Sequence, residues 1–207
     1  SGYDLLQGMA GDDLLVASEG SDTLDGGDGN DTVSYENATQ GVEVDLAAGT
    51  AESGDDTDTL VSIENIIGSD YDDVITGDAQ DNILRGGLGD DSLTGGAGDD
   101  TFLWTQADAD GGEDTVTDFD IGNAAGMGND TLHIADLLDP DGTKDVSGNL
   151  DAYLKANFDG TNTTIEVFVN GNAEIEGATA DQTIVVNGDL TDLDSLVSSG
   201  NLIVDNS

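Results

Sequence analysis

The chain of 207 residues has no cysteine, one proline, one histidine and only three basic side chains, Arg85, Lys144 and Lys155. Each shortage closes a route. Without cysteine, no disulfide framework can stand in for a hydrophobic core. Without a basic surface nothing meets phosphates, which excludes nucleic acid as a partner and argues equally against anionic membranes. No apolar run reaches the length of a membrane span, and the first residues do not read as a signal peptide. Neither membrane insertion nor an N-terminal leader is therefore expected. His133 has no second histidine, no cysteine and no serine partner to work with, and reads as an ordinary strand residue.

What the chain has is acid. Forty-six Asp and Glu residues give a formal net charge of −43, and self-repulsion on that scale opposes a compact state unless counter-ions are built into it. High charge with 4% aromatics is the composition of a disordered segment. Against this stand 30 glycines at regular positions, which a disordered tail does not require. The conflict resolves if the fold orders only after cations bind.

The regularity is an internal repeat. Gly2, Gly11, Gly20 and Gly29 are spaced by nine; Asp4, Asp13, Asp22 and Asp31 follow two residues later, and Leu6, Leu15, Leu24 and Val33 two further on. In a second block Gly68, Gly77, Gly86 and Gly95 open units whose acid positions hold Asp73, Asn82, Asp91 and Asp100, and whose apolar positions hold Ile75, Leu84, Leu93 and Phe102. Gly26–Ser34, Gly86–Thr94 and Gly95–Leu103 match G-G-x-G-x-D-x-U-x in full. This nonapeptide resembles the calcium-binding repeat of the repeats-in-toxin (RTX) proteins.

The residue types carry a physical logic. Glycine permits a tight turn that leaves carbonyl oxygens pointing inward, and the Asp adds a carboxylate. Calcium is a hard cation seeking six to eight oxygens, of which one such turn offers about half. The three residues after the Asp suffice only for a short strand with its middle side chain inside. Each nonapeptide is then half a coil and residues 18 apart stack, pairing Asp4 with Asp22, Asp13 with Asp31, Asp73 with Asp91, and Asn82 with Asp100. The expected carbonyl ligands are those of Gly8, Gly26, Gly27, Asp28, Gly29, Gly86, Gly87, Leu88, Gly89, Gly95, Gly96, Ala97 and Gly98. Asn82 keeps an oxygen but lacks a charge, so its site is expected to be weaker. One inward aliphatic per nine residues makes a thin core, and several calcium ions, about four to eight from the coordination demand, have to make up the difference.

The expected architecture is an all-β parallel roll. A first repeat block (1–34) leads to a β-insertion (35–67), a second block (68–103) and a β-rich C-terminal capping region (104–207) with one or two short helices. From Asp31 to Asp73 is 42 residues, not a multiple of nine, so the insertion breaks frame. Gly41–Leu46 alternates as a strand, and Leu60–Ile66 reads as a second. Asp55, Asp56 and Asp58 lack the spacing and glycine of an EF-hand. After Leu103, Thr115–Phe119, Thr131–Ile134, Thr163–Val169, Thr183–Val186 and Leu202–Val204 read as strands. Leu150, Tyr153, Leu154 and Phe158 follow helical spacing, and Thr191 starts a short helix ended by Gly200. Trp104 reads as a packing plug. Asp139, Asp141 and Asp145, in a Pro/Gly loop, are secondary metal candidates.

Further resemblances lie outside the repeats. Val33-Ser34-Tyr35, Gly41–Leu46 and Ile63–Gly68 resemble the linking strands of bacterial RTX adhesins, including the ice-binding kind. Gly95–Phe102, Asp114–Asp120 and Asp130–Ile134 resemble the C-terminal target domain of type I secretion substrates. The resemblance implies an extracellular, monomeric, non-enzymatic module at the bacterial cell surface. It would be exported unfolded by an ABC transporter, an adaptor and an outer-membrane channel, with its signal near Asn201–Ser207. Three alternatives compete. An enzyme on a β-helix would need a base and a cationic groove. A module binding glycan or ice itself would need regular outward ranks, whereas Leu5, Asp25, Thr32, Ser92 and Thr94 are mixed. The chain also suits the RTX tail of a secreted enzyme.

Overall fold

The aliphatic position of each repeat lies in a short strand, because three extended residues between two glycine turns leave room for nothing longer. A computed structural model describes residues 2–122, 128–139, 146, 150–170, 177–190 and 192–204. The first block forms β1 (Leu5–Ala10), β2 (Leu14–Val16), β3 (Thr23–Asp28) and β4 (Thr32–Ser34). The frame-breaking stretch forms β5 (Glu43–Asp45), β6 (Thr50–Ser53), β7 (Asp56–Val61) and β8 (Asn65–Ile67). The second block forms β9 (Val74–Thr76), β10 (Ile83–Arg85), β11 (Ser92–Thr94) and β12 (Thr101–Leu103). Then come a 3-10 turn (Gln106–Asp108), β13 (Glu113–Val116), β14 (Thr131–His133), α1 (Ala135–Leu138) and α2 (Leu150–Tyr153). The described chain continues with β15 (Leu154–Phe158), β16 (Asn162–Val167), β17 (Gln182–Asn187), α3 (Leu193–Ser199) and β18 (Leu202–Ile203).

Within each block, successive strands alternate between two sheets. One runs β1-β3-β7-β6-β5-β9-β11-β13-β17-β16-β15 and the other β18-β14-β12-β10-β8-β4-β2. The expected 18-residue register is observed, with Leu6 beside Leu24, Leu15 beside Val33, Ile75 beside Leu93, and Leu84 beside Phe102, all parallel. The fold is thus a parallel β-roll. Its inward side chains form one hydrophobic cluster in which Leu24, Val33, Ile75, Leu84, Leu93 and Phe102 are fully buried.

The frame break does not interrupt the core. On one side β8 pairs directly with β4 and with β10, placing Ile66 in register between Val33 and Leu84. On the other, β7 stacks parallel on β3 and β5 parallel on β9, while β6 runs antiparallel to both and absorbs the extra residues. The single strand expected over Leu60–Ile66 is in fact two. Ser62 turns the corner with φ 51°, so Leu60 belongs to one sheet and Ile66 to the other.

Stacking also continues past Leu103. β13 lies parallel to β11 and β17 to β13, while β14 lies parallel to β12 and β18 to β14. The helical reading of Leu150–Phe158 holds for one turn only. Leu154–Phe158 is β15, drawn into an antiparallel edge with β16 whose ladder bonds outweigh local spacing. The last helix starts at Leu193 and ends at Gly200, which has φ 84°. Its N-cap is Asp192, whose carboxylate accepts from the Ser195 amide at 3.1 Å; Thr191 lies outside the described residues.

Because β8 bridges the two blocks, Ile66→Ala should lower stability in calcium by about 2–5 kcal/mol, as for other fully buried large-to-alanine changes. Chemical unfolding should show one cooperative transition moving as a whole. Two separated transitions would mean that the blocks are not joined through β8.

Candidate metal centre

The acid positions of the repeat form ladders along the roll. Each acid's Oδ1 accepts the backbone amide of the residue 18 earlier: Asp22 from Asp4 (2.8 Å), Asp31 from Asp13 (2.8 Å), Asp91 from Asp73 (2.8 Å) and Asp100 from Asn82 (2.9 Å). All four expected pairs are brought together. Charge-assisted bonds of this kind fix the carboxylate's orientation.

The second oxygen separates two kinds of rung. Oδ2 of Asp13, Asp31, Asp91 and Asp100 is buried and has no hydrogen-bond partner. Asp31, Asp91 and Asp100 are themselves at most 2% exposed. A buried carboxylate oxygen without a donor is costly unless a cation meets it. The other acids are satisfied internally. Oδ2 of Asp22 accepts from the Ser18 hydroxyl (3.0 Å). Asp73 accepts from the Ser69 amide (2.5 Å) and the Ser69 hydroxyl (2.8 Å). Asn82 accepts from the Asp78 amide (2.9 Å) and donates to the Glu64 carbonyl (2.7 Å). Asp4 is exposed on the outermost strands of the stack.

Glycine is required where the ladder acid folds back. A Cβ on Gly8 would lie 2.7 Å from Oδ2 of Asp13, and a Cβ on Gly26, Gly86 or Gly95 would collide with Oδ2 of Asp31, Asp91 or Asp100. The next glycines of the turns take positive φ, 115° at Gly87 and 105° at Gly96, and rest on the carbonyls of Ser69 and Asp78. Gly27, Gly29, Gly89 and Gly98 also have positive φ; Leu88 and Ala97 lie in the turns, while Asp28 ends β3, where its carbonyl accepts the Gly11 amide at 2.8 Å. Each centre is therefore a fold-back carboxylate beside stacked turn carbonyls. Among the described residues, no three acidic or histidine side chains converge as a metal-ligating group, so any cation here depends on backbone oxygen as well.

Several ladder members escaped sequence reasoning. Asp58 accepts the Asp22 amide (2.8 Å), Glu64 that of Asp31 (2.8 Å), Asp114 that of Asp91 (3.0 Å) and Asp130 that of Asp100 (3.1 Å). Their offsets are 36, 33, 23 and 30 residues; Asp58 keeps the phase of the repeat, two coils on from Asp22, and no period reveals the other three. A second, exposed ladder runs beside the first in the opposite sense: Asp12 accepts from the Asn30 amide, Asp72 from Asp90 and Asp81 from Asp99. Its sequence signal is an Asp directly before each ladder residue: Asp12 before Asp13, Asp72 before Asp73 and Asp81 before Asn82.

Two rungs close on side-chain donors. Tyr35 donates its hydroxyl to Oδ2 of Asp58 (3.1 Å). Trp104, buried as a plug, donates Nε1 to Oδ2 of Asp114 (2.6 Å), which also accepts from Nε2 of Gln182 (2.7 Å). Arg85 grips the buried Asp108 through Nε and Nη2, at 2.7–3.1 Å. Asp139 is buried at the end of α1, whereas Asp141 and Asp145 lie outside the described residues. His133 sits on β14 between Leu103 and Ile203.

Burial drives the ladder's electrostatics. It pushes Asp91 up to about 8, with the Asp114 charge adding to it, and Asp130 up to about 7, with Asp100 and Asp118 adding. Burial likewise raises Asp100 and Asp114 to about 6, and raises Asp58 and Asp73 above the usual carboxylate range.

Residues 1–33 and 64–102 match the family model of the RTX calcium-binding nonapeptide repeat. Among solved structures, the chain is similar to the AlgE6R3 subunit from the Azotobacter vinelandii mannuronan C5-epimerase, at 20% identity and a TM-score of 0.37, covering 95% of this chain and 80% of that one. No curated protein matches the chain.

In chelator, the folded state holds protons on Asp91, Asp130, Asp100 and Asp114 that the unfolded chain releases near pH 4. The folded state binding more protons, stability is highest at low pH and is lost as pH rises to about 8. Thermal unfolding in chelator at pH 4.5, 6 and 8 should give a steadily falling midpoint. A midpoint rising with pH would mean that the ladder is solvated.

Proposed function

Since the chain carries RTX calcium-binding nonapeptide repeats over residues 1–33 and 64–102, we propose that it is a calcium-dependent folding module whose cations sit first at Asp13, Asp31, Asp91 and Asp100. The observation that carries this is the set of buried, donor-less Oδ2 atoms on those four residues, each placed at a glycine that leaves room for nothing larger than hydrogen. The remaining oxygens of each shell come from the turn carbonyls of Gly8, Gly26, Gly27, Asp28 and Gly29 in the first block. In the second block they come from Gly86, Gly87, Leu88 and Gly89 together with Gly95, Gly96, Ala97 and Gly98. Asp73 and Asn82 already hold hydroxyl or amide donors and are the facing members for Asp91 and Asp100, whereas Asp22, satisfied by Ser18, faces Asp4. Calcium supplies positive charge that three basic residues cannot, in a chain of net charge −43. Folding and binding are then one event.

The wider role follows from that coupling. Where calcium is scarce the carboxylates repel and the chain stays threadable; where it is abundant, at the 10⁻⁴–10⁻³ M typical of extracellular sites, the roll closes. This suits a non-catalytic module at the bacterial cell surface, exported by a type I apparatus of ABC transporter, adaptor and outer-membrane channel. An RTX adhesin is the parent that fits the linking strands, here the end of β4 with Tyr35, β5 and β8. Among the described residues no helix is long and apolar enough to cross a membrane.

Removing calcium with excess chelator at pH 7.5 should abolish most of the β-type circular dichroism, and restoring about 1 mM calcium should return it. An unchanged spectrum in chelator would overturn the reading. Gly86→Ala is expected to weaken calcium-induced folding as strongly as Asp91→Ala, because the added methyl occupies the place of Oδ2. Asp55→Asn, at an exposed position, should leave the titration unchanged.

A further inference from the structure

The last nonapeptide turn, Gly95–Asp100, is roofed differently from the turns before it. In two of the preceding units the opening glycine's amide bonds to a backbone carbonyl of the next rung: Gly68 to Arg85 (2.8 Å) and Gly77, one coil before Gly95, to Thr94 (2.8 Å). At Gly95 the acceptor is a carboxylate. Asp118 takes the Gly95 amide on Oδ1 (2.9 Å) and the Gly96 amide on Oδ2 (2.9 Å). The reason is the longer coil here: β13 lies 23 residues after β11 instead of 18, which brings Asp118 opposite Gly95 in place of a glycine turn.

Beneath Asp118 lies Asp100, which is 1% exposed. Its Oδ1 is held by the Asn82 amide (2.9 Å), and its Oδ2 is buried without a partner against Gly95, the residue whose amide Asp118 caps. Asp118 and Asp78 are charges that bear directly on Asp100. Each Asp118 oxygen accepts one amide and keeps a free lone pair. A donor-less buried carboxylate oxygen facing a second carboxylate, with no cation among the described side chains at that point, calls for an oxygen-seeking divalent ion.

We infer that Asp118 joins Asp100 as a second carboxylate ligand in a terminal calcium site at the end of the repeat stack, where a regular nonapeptide would offer only backbone oxygen. The inference rests on the proposed calcium-dependent folding and adds a ligand outside the nonapeptide pattern. Two anionic ligands in one shell bind calcium more tightly than one with carbonyls, so this site fills at lower calcium than the sites at Asp13 and Asp31.

The test is a calorimetric calcium titration of the full chain as wild type, Asp118→Asn and Asp31→Asn. Asn removes the charge and leaves one acceptor oxygen for the two glycine amides that Asp118 caps. Asp118→Asn should weaken the tightest class of ions about tenfold or more while leaving the weaker class in place. Asp31→Asn should do the reverse. Unfolding at pH 4.5 in chelator measures the lost cap bond alone, and a ligand role lowers the midpoint of Asp118→Asn further in calcium than in chelator. A midpoint lowered equally with and without calcium would reduce Asp118 to a structural cap and overturn the inference. It is equally overturned if Asp118→Asn titrates like wild type while Asp31→Asn loses binding. A wild type that takes up no calcium would remove the folding reading itself.

Discussion

A carboxylate that donates nothing and accepts one backbone amide organises this molecule. In each rung, the amide of one ladder residue is held by the Oδ1 of the acid a full coil later, which pins the side chain against a glycine and aims its other oxygen into the turn. The bond is favourable in itself, yet it commits a charged group to a buried place. Everything else answers that commitment. Ser18, Ser69, Tyr35, Trp104 and Gln182 satisfy it with donors at some rungs. At Asp13, Asp31, Asp91 and Asp100 the second oxygen is buried with no donor.

In the proposed centres at Asp91 and Asp100, proton and calcium are alternative occupants. Burial raises Asp91 and Asp100 because a bare anion is poorly tolerated there, and the same intolerance gives a divalent ion its hold. The aliphatic column does not decide between the occupants. It fixes the register that brings the acids opposite one another, through contacts such as Val33 on Ile66 on Leu84. Arg85, with Asp108 and Glu36 around it, is an ordinary ion pair tying the 3-10 turn to β10, remote in kind from the ladder's chemistry.

What could be read from sequence was whatever repeats. Spacing by nine gave the turn, the inward aliphatic and the four acid pairs, since a coil of two nonapeptides leaves the backbone no other register. The extension of the ladder to Glu64, Asp114 and Asp130 was hidden, because loops of unequal length return the chain to the same place without leaving a period, while Asp58 is in phase with Asp22 but lacks the flanking glycines of a repeat. The corner at Ser62 was hidden for a related reason: alternation runs on smoothly across a turn when both flanking strands face the same core. Leu154 and Phe158 misled because local spacing fits a helix equally well, and only pairing with β16 decides.

The parallel register has an evolutionary corollary. Rungs are joined almost entirely to the rung one coil away, in two columns that do not exchange partners within the repeat blocks. A gene duplication or deletion of eighteen codons would thus lengthen or shorten the roll while every remaining carboxylate found its old neighbour. A change of nine codons would instead transfer all later acids to the opposite column, and with them their hydroxyl donors. Length in such a roll is free to drift, but only in whole coils.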